Sequence, residues 1–208
     1  MLVDHDRRRA ELAEAVWRVV RRDGVRGASV RAVAAEAGLS TGSVRYFFTA
    51  QDELLRFAMR ELVEKVRTRS AASITERLAA VAEGEPVDAV LAALCQVLPI
   101  DAERLAEAQV WFAFVVHESV DPVFREIRRE MDEEVRELCG HCVMSLRETD
   151  ALGVGRDPER ETLVLWALLD GLTLRIYLDS LTPDVALDAL GSHLHQLSTA
   201  PASTTRAL

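Results

Sequence analysis

Thr41, Ser43, Arg45 and Tyr46 fall within the stretch Thr-Gly-Ser-Val-Arg-Tyr-Phe-Phe, and together they offer hydroxyls and a guanidinium but no carboxylate. Such groups donate to phosphate oxygens and read base edges, so the chemistry they suit is contact with duplex nucleic acid. Gly42 sits among them and lets a backbone approach closely. Val44, Phe47 and Phe48 alternate with the polar set at the spacing of inward anchors. The bland alternative is a surface helix that happens to lack acids.

A second set of residues suits a small molecule. Trp166, Asp170, Thr173 and Tyr177 recur at helical spacing, and Trp111, Phe114, His117 and Glu118 form another such run. Aromatic walls with a few polar groups are what a ligand cavity needs, and a carboxylate among aromatics can hold a cation. Aromatics at helical spacing also serve as plain core, and Asp170 can simply pair with Arg175 or with an arginine across a subunit seam.

Other constellations carry less. Cys139, His141 and Cys142 resemble metal ligands, but residues 139 and 142 share a helix face that 141 does not, and no second ligand pair stands at zinc spacing. No metal site and no cofactor are expected. His193 and His195, two apart, face different ways on a helix. The chain has no Gly-x-Ser-x-Gly elbow, phosphate-binding glycine loop or His-Glu-x-x-His, so an enzyme is not expected.

The elements that must position these residues are helices throughout. The sequence predicts a first helix over about 6–22, with Leu12, Ala15, Val16, Val19 and Val20 inward and Asp23-Gly24 closing it. Trp17 beside that stripe reads as a packing residue. Ser29 can cap a second helix with Val30, Val33, Ala34 and Ala37 recurring, and Gly38 ends it. Leu39 fills the corner, and Ser40 caps a third helix over 41–47. Helix, short glycine-containing turn, helix is the helix-turn-helix layout, whose second helix enters the major groove. A long fourth helix begins near Asp52 and extends towards Val81. Caps followed by proline then punctuate the body: Glu85-Pro86, Pro99-Ile100-Asp101, Asp121-Pro122, Asp157-Pro158 and Thr182-Pro183. No segment alternates with period two. The expected fold is all-α with about nine helices, a head over residues 1–50 and a ligand-binding and dimerisation body over 51–208.

Leu163 to Leu169 is almost continuously apolar, so both faces of that helix require cover. One face can serve its own subunit. The other, with Leu187, Leu190 and Leu194 of the last helix, is expected to pair with a second copy, Gly171 allowing a close crossing and Arg175 lying near it. Two recognition helices must sit about 34–36 Å apart to read a near-palindrome, which a monomer does poorly.

Charge distribution agrees with this division. Across 208 residues the net charge is −9, yet residues 1–50 carry nine arginines against six acids, whereas residues 51–208 carry sixteen basic residues against twenty-eight acids. A basic head on an acidic body can face phosphate while staying soluble. Arg7-Arg8-Arg9 extends that face as an arm or is an ordinary helix start. The odd cysteine number, the absence of an apolar span and the lack of a signal-like N-terminus predict a reducing, cytoplasmic setting with no membrane partner.

Over Arg9 to Leu55 the chain resembles the TetR family of transcriptional regulators. The resemblance rests on Asp23-Gly24, Ser29-Val30-Arg31, Ala37-Gly38-Leu39-Ser40, Gly42-Ser43, Tyr46-Phe47-Phe48 and Asp52-Glu53-Leu54-Leu55. It implies that Ser29 and Arg31 approach the DNA backbone and that Thr41, Gly42, Ser43, Arg45 and Tyr46 form the recognition face. Gln51 stands where many members carry a phosphate-clamping lysine, so a shallower salt dependence is expected. Trp111-Phe112-Ala113-Phe114 and Leu168 to Arg175 look like a BetI-type C-terminal domain, which implies a homodimer and a site for a small-molecule effector. The expectation is a ligand-responsive repressor of operator DNA; the alternative is a helical small-molecule-binding or adaptor protein without sequence-specific DNA binding.

Overall fold

A computed structural model describes residues 2–79, 85–117 and 122–199, which form nine helices and no strand. They are α1 (Leu2–Gly27), α2 (Val30–Glu36), α3 (Thr41–Phe47), α4 (Gln51–Ala79), α5 (Pro86–Leu94), α6 (Ala102–His117), α7 (Pro122–Glu148), α8 (Pro158–Tyr177) and α9 (Pro183–Leu197). The all-α expectation holds. Glu118, Val81 and the Asp121 cap lie outside the described residues.

Helix ends follow the chemistry that the sequence advertises. Pro86, Pro158 and Pro183 each stand in the first turn, where a missing N–H costs nothing. Asp157 accepts from the Glu159 amide, Thr182 from Val185 and Asp101 from Arg104. Gly24 at φ 73° and ψ 172° interrupts α1, so the helix proper stops where expected and Val25–Gly27 form a separate turn. Its start is earlier than predicted. Gly38, at φ 66°, ends α2, and the Leu39 amide reaches back to the Ala34 carbonyl at 2.8 Å.

Packing divides the chain into two compact units. The first comprises residues up to Arg67 together with Ala106–Met131. Its core joins Leu12, Val16 and Val19 of α1, Val33 of α2, Val44 of α3, Leu54, Leu55 and Met59 of α4, and Phe114, Phe124 and Ile127. The Trp17 indole is buried and donates to the Ala58 carbonyl at 2.9 Å, tying α1 to α4 as a packing residue.

The second unit comprises Thr68–Leu105 and Asp132–Leu208. Its core contains Val90, Leu94, Cys139, Cys142, Leu146, Leu165, Leu169, Leu172, Ile176, Leu190, Leu194 and Leu197. Arg156 joins the loop before α8 to the end of α9, pairing with Glu161 at 3.0 Å and donating to the carbonyls of Gln196 and Thr199.

Candidate nucleic-acid interface and effector residues

The head is built so that short helices hold polar side chains outward. Ser29 accepts from the Ala32 amide at 3.2 Å and Ser40 from the Ser43 amide at 3.1 Å, each cap supplying about 1 kcal/mol to a seven-residue helix. Ser40 and Ser43 also share a 2.8 Å hydroxyl contact. Val44 is fully buried, Phe48 nearly so, and Phe47 packs against the same core. Those three anchors turn the other side of α3 outward. Gly42, Ser43, Arg45 and Tyr46 are exposed, Tyr46 at 75%, and Thr41 is half-buried. Arg31 is exposed on α2, whereas Ser29 is half-buried at its cap and Gln51 half-buried at the first position of α4.

Electrostatics sharpen this surface. Between Gly24 and Gln51 the only carboxylate is Glu36. It is not free: Arg18 donates to it at 2.7 Å and Arg22 at 2.8 Å. Those hydrogen bonds, Arg18 first, hold its carboxyl below the ordinary range. Glu53 opens α4 by accepting the Thr49 amide and hydroxyl, at 2.9 and 3.0 Å, which also lowers its pKa.

The first three arginines form part of α1. Arg7 and Arg8 pair with Glu11, and Arg9 lies over the Phe57 ring at 4.5 Å. They therefore fit the helix-start reading. Little in the sequence foretells the Arg18–Glu36–Arg22 clamp, because the arginines stand 18 and 14 residues from the glutamate they share.

The candidate effector residues separate between the two units. In the first, Phe114 is fully buried and stacks on Phe124 with centroids 5.5 Å apart, His117 meets the same ring edge-on, and Trp111 packs against that core. In the second, Trp166 is half-buried, and its indole N–H has no hydrogen-bond partner among the described residues. Asp170 is exposed on one side, yet burial and then the neighbouring Asp132 raise its pKa. Arg175 does not offset that shift. Burial pushes the Cys139 thiol up to about 12 and Cys142 up also, which suppresses their thiolates.

The expected seam needs correction at α9. Leu190 and Leu194 are fully buried within their own unit and so have no surface left for a second copy. Leu187 is half-buried against the same core. Helical periodicity marks an apolar face without saying which chain covers it. On α8 Leu163, Ala167, Gly171 and Leu174 remain exposed at spacings of three or four, with Leu178 continuing the row at the C-cap, whereas Val185 and Ala189 are the exposed apolar residues of α9. Gly171 opens on free space, since a β-carbon added there would meet nothing within 4 Å, and Arg175 is exposed on the same helix.

Comparison with known proteins follows the same lines. A family profile described as "BetI-type transcriptional repressor, C-terminal" matches residues 86–199. The transcriptional regulator PksA of Bacillus subtilis is 38% identical over 180 residues, covering 85% of this chain and 82% of its own. The regulator BetI of Pseudomonas paraeruginosa is 30% identical over 193 residues, covering 91% and 92%. A solved transcriptional regulator from Rhodococcus sp. Rha1 superposes with a TM-score of 0.74 at 31% identity, over 93% of this chain and 99% of that one.

Proposed function

Because the chain belongs to the TetR family of helix-turn-helix transcriptional regulators, with a BetI-type C-terminal domain, we propose that it binds a near-palindromic operator as a homodimer, represses a nearby promoter and is released by a small-molecule inducer. The observation that carries this reading is the outward side of α3, where Ser43, Arg45 and Tyr46 are exposed while Glu36 is held by two arginines of α1. Such a surface suits phosphates and base edges and repels neither.

In this reading residues 1–50 are the DNA-binding domain and residues 51–208 the effector and dimerisation domain. Thr41, Gly42, Ser43, Arg45 and Tyr46 face the bases and adjoining phosphates, with Ser29, Arg31 and Gln51 on the backbone. Exposed α8, centred on Gly171 and Leu174, supplies the seam with a second copy. Effector contact falls to Trp166 and Asp170 of the second unit; Phe114 is fully buried on Phe124, with Trp111 and His117 packed beside it in the first unit, so that run serves as core, and Glu118 lies outside the described residues. The effector releases DNA by preferring a state in which the two recognition helices no longer match the half-sites. Tight binding without that preference would shift nothing.

No helix among the described residues is long and apolar enough to cross a membrane, and a cytoplasmic regulator is the setting this function requires. The relatives are named as regulators rather than as enzymes, which supports a non-catalytic role. Selection of bound duplexes from a random pool, followed by footprinting, tests the proposal. A protected near-palindrome is expected. Retention with no sequence preference over competitor DNA would replace it with the adaptor reading.

A further inference from the structure

The head contains nine arginines, and the structure separates them into two groups. Arg7 and Arg8 pair with Glu11, Arg9 lies over Phe57, Arg18 and Arg22 grip Glu36, and Arg21 donates to Gln109 at 2.9 Å. These six are engaged in holding α1 to itself and to its neighbours. The other three, Arg26, Arg31 and Arg45, are exposed and have no hydrogen-bond or ion-pair partner among the described residues. Arg31 and Arg45 are already assigned to DNA.

Arg26 is not, and its setting resembles theirs. It stands on the turn that follows the break at Gly24 and leads into the Ser29 cap of α2. The buried side chains of Val25 and Ala28 flank it and fix that turn into the core. The Ala28 amide bonds to the Val25 carbonyl at 3.2 Å and the Ser29 amide to the Gly27 carbonyl at 2.8 Å, so the backbone under Arg26 is held. It lies five positions before Arg31, and the stretch from Gly24 to Gln51 has no carboxylate except the neutralised Glu36.

We propose that Arg26 is a further DNA contact of each head, donating to a backbone phosphate beside the one approached by Arg31, so that the α1–α2 turn forms part of the interface. A guanidinium at a phosphate adds affinity independent of sequence and releases counterions. It partly offsets the missing charge at Gln51. The inference rests on the operator-binding reading above.

The test compares the full-length wild type with Arg26→Gln and Arg147→Gln, an exposed arginine of the second unit. Binding is measured between about 50 and 200 mM salt on two probes, a duplex selected by the wild type and a mixed-sequence duplex. Each phosphate contact contributes about 0.9 to the log–log salt slope, so Arg26→Gln in both heads should flatten it by roughly two. Affinity for both probes should fall by the same factor, and Arg147→Gln should leave the slope unchanged. An unchanged slope in Arg26→Gln overturns the inference while leaving the regulator intact. An equal loss in Arg147→Gln overturns it as a net-charge effect, and a loss confined to the selected duplex overturns the phosphate assignment. Failure of the wild type to bind either probe sinks the operator reading itself, and this inference with it.

Discussion

Arg45 and Glu36 show how single side chains give the head its sign. Arg45 is exposed on α3 with no acid near it in sequence, so removing it should delete a base or phosphate contact without disturbing Val44 or Phe48 beneath. Arg45→Ala should weaken operator binding by about 1–3 kcal/mol; an unchanged gel shift would take Arg45 out of the interface. Glu36 acts by being occupied. Its pKa is depressed by Arg18 and Arg22, so its contribution to stability is present above the unfolded carboxylate value of about 4.3 and is lost as pH falls through the lower folded value. Glu36→Gln cannot be protonated, and its melting temperature should fall less steeply below about pH 4.3 than that of the wild type. Parallel acid limbs for the two proteins would show that the clamp is not maintained in solution. Both the outward polar residues and the acid-poor run were legible in the sequence. The clamp was not, because ion-pair partners on different helices leave no local spacing to read.

Helix starts were the most legible elements, because the physical requirement is local. A proline in the first turn and an oxygen-bearing cap before it satisfy groups that the helix leaves open, and Asp157-Pro158 and Thr182-Pro183 both behave this way. What keeps the end of α9 in place was not legible. Arg156, in the loop before α8, reaches 40 residues along the chain to the Gln196 carbonyl and also pairs with Glu161, both side chains being largely buried. Removing one partner of such a pair leaves a buried charge with nothing to face. Arg156→Met should therefore cost about 2–3 kcal/mol in urea unfolding, with faster amide exchange at the end of α9. A variant as stable as the wild type would mean that the carbonyls and Glu161 find water instead. Glu161→Gln, which leaves the cation facing a neutral acceptor, should be affected less.

At the scale of the whole molecule, one sequence pattern had two explanations, and exposure separates them. The apolar stripes of α8 and α9 both looked available for a seam, yet Leu190 and Leu194 are spent on the core of a single chain while Leu163, Leu174 and Leu178 remain exposed. Nothing in periodicity could decide this, since burial by the same chain and burial by a second copy select the same residues. The difference has separate experimental signatures. Leu194→Ala opens a cavity in the second unit and should lower stability by about 2–5 kcal/mol. Leu174→Glu puts a charge where a second copy would desolvate it, so it should yield monomers in sedimentation at concentrations where the wild type is dimeric, with helicity retained. The monomer carries a single recognition helix and should lose at least about tenfold in operator affinity, because the second half-site is no longer engaged by the same particle. A Leu174→Glu protein that stays dimeric and binds normally would move the seam off this face of α8.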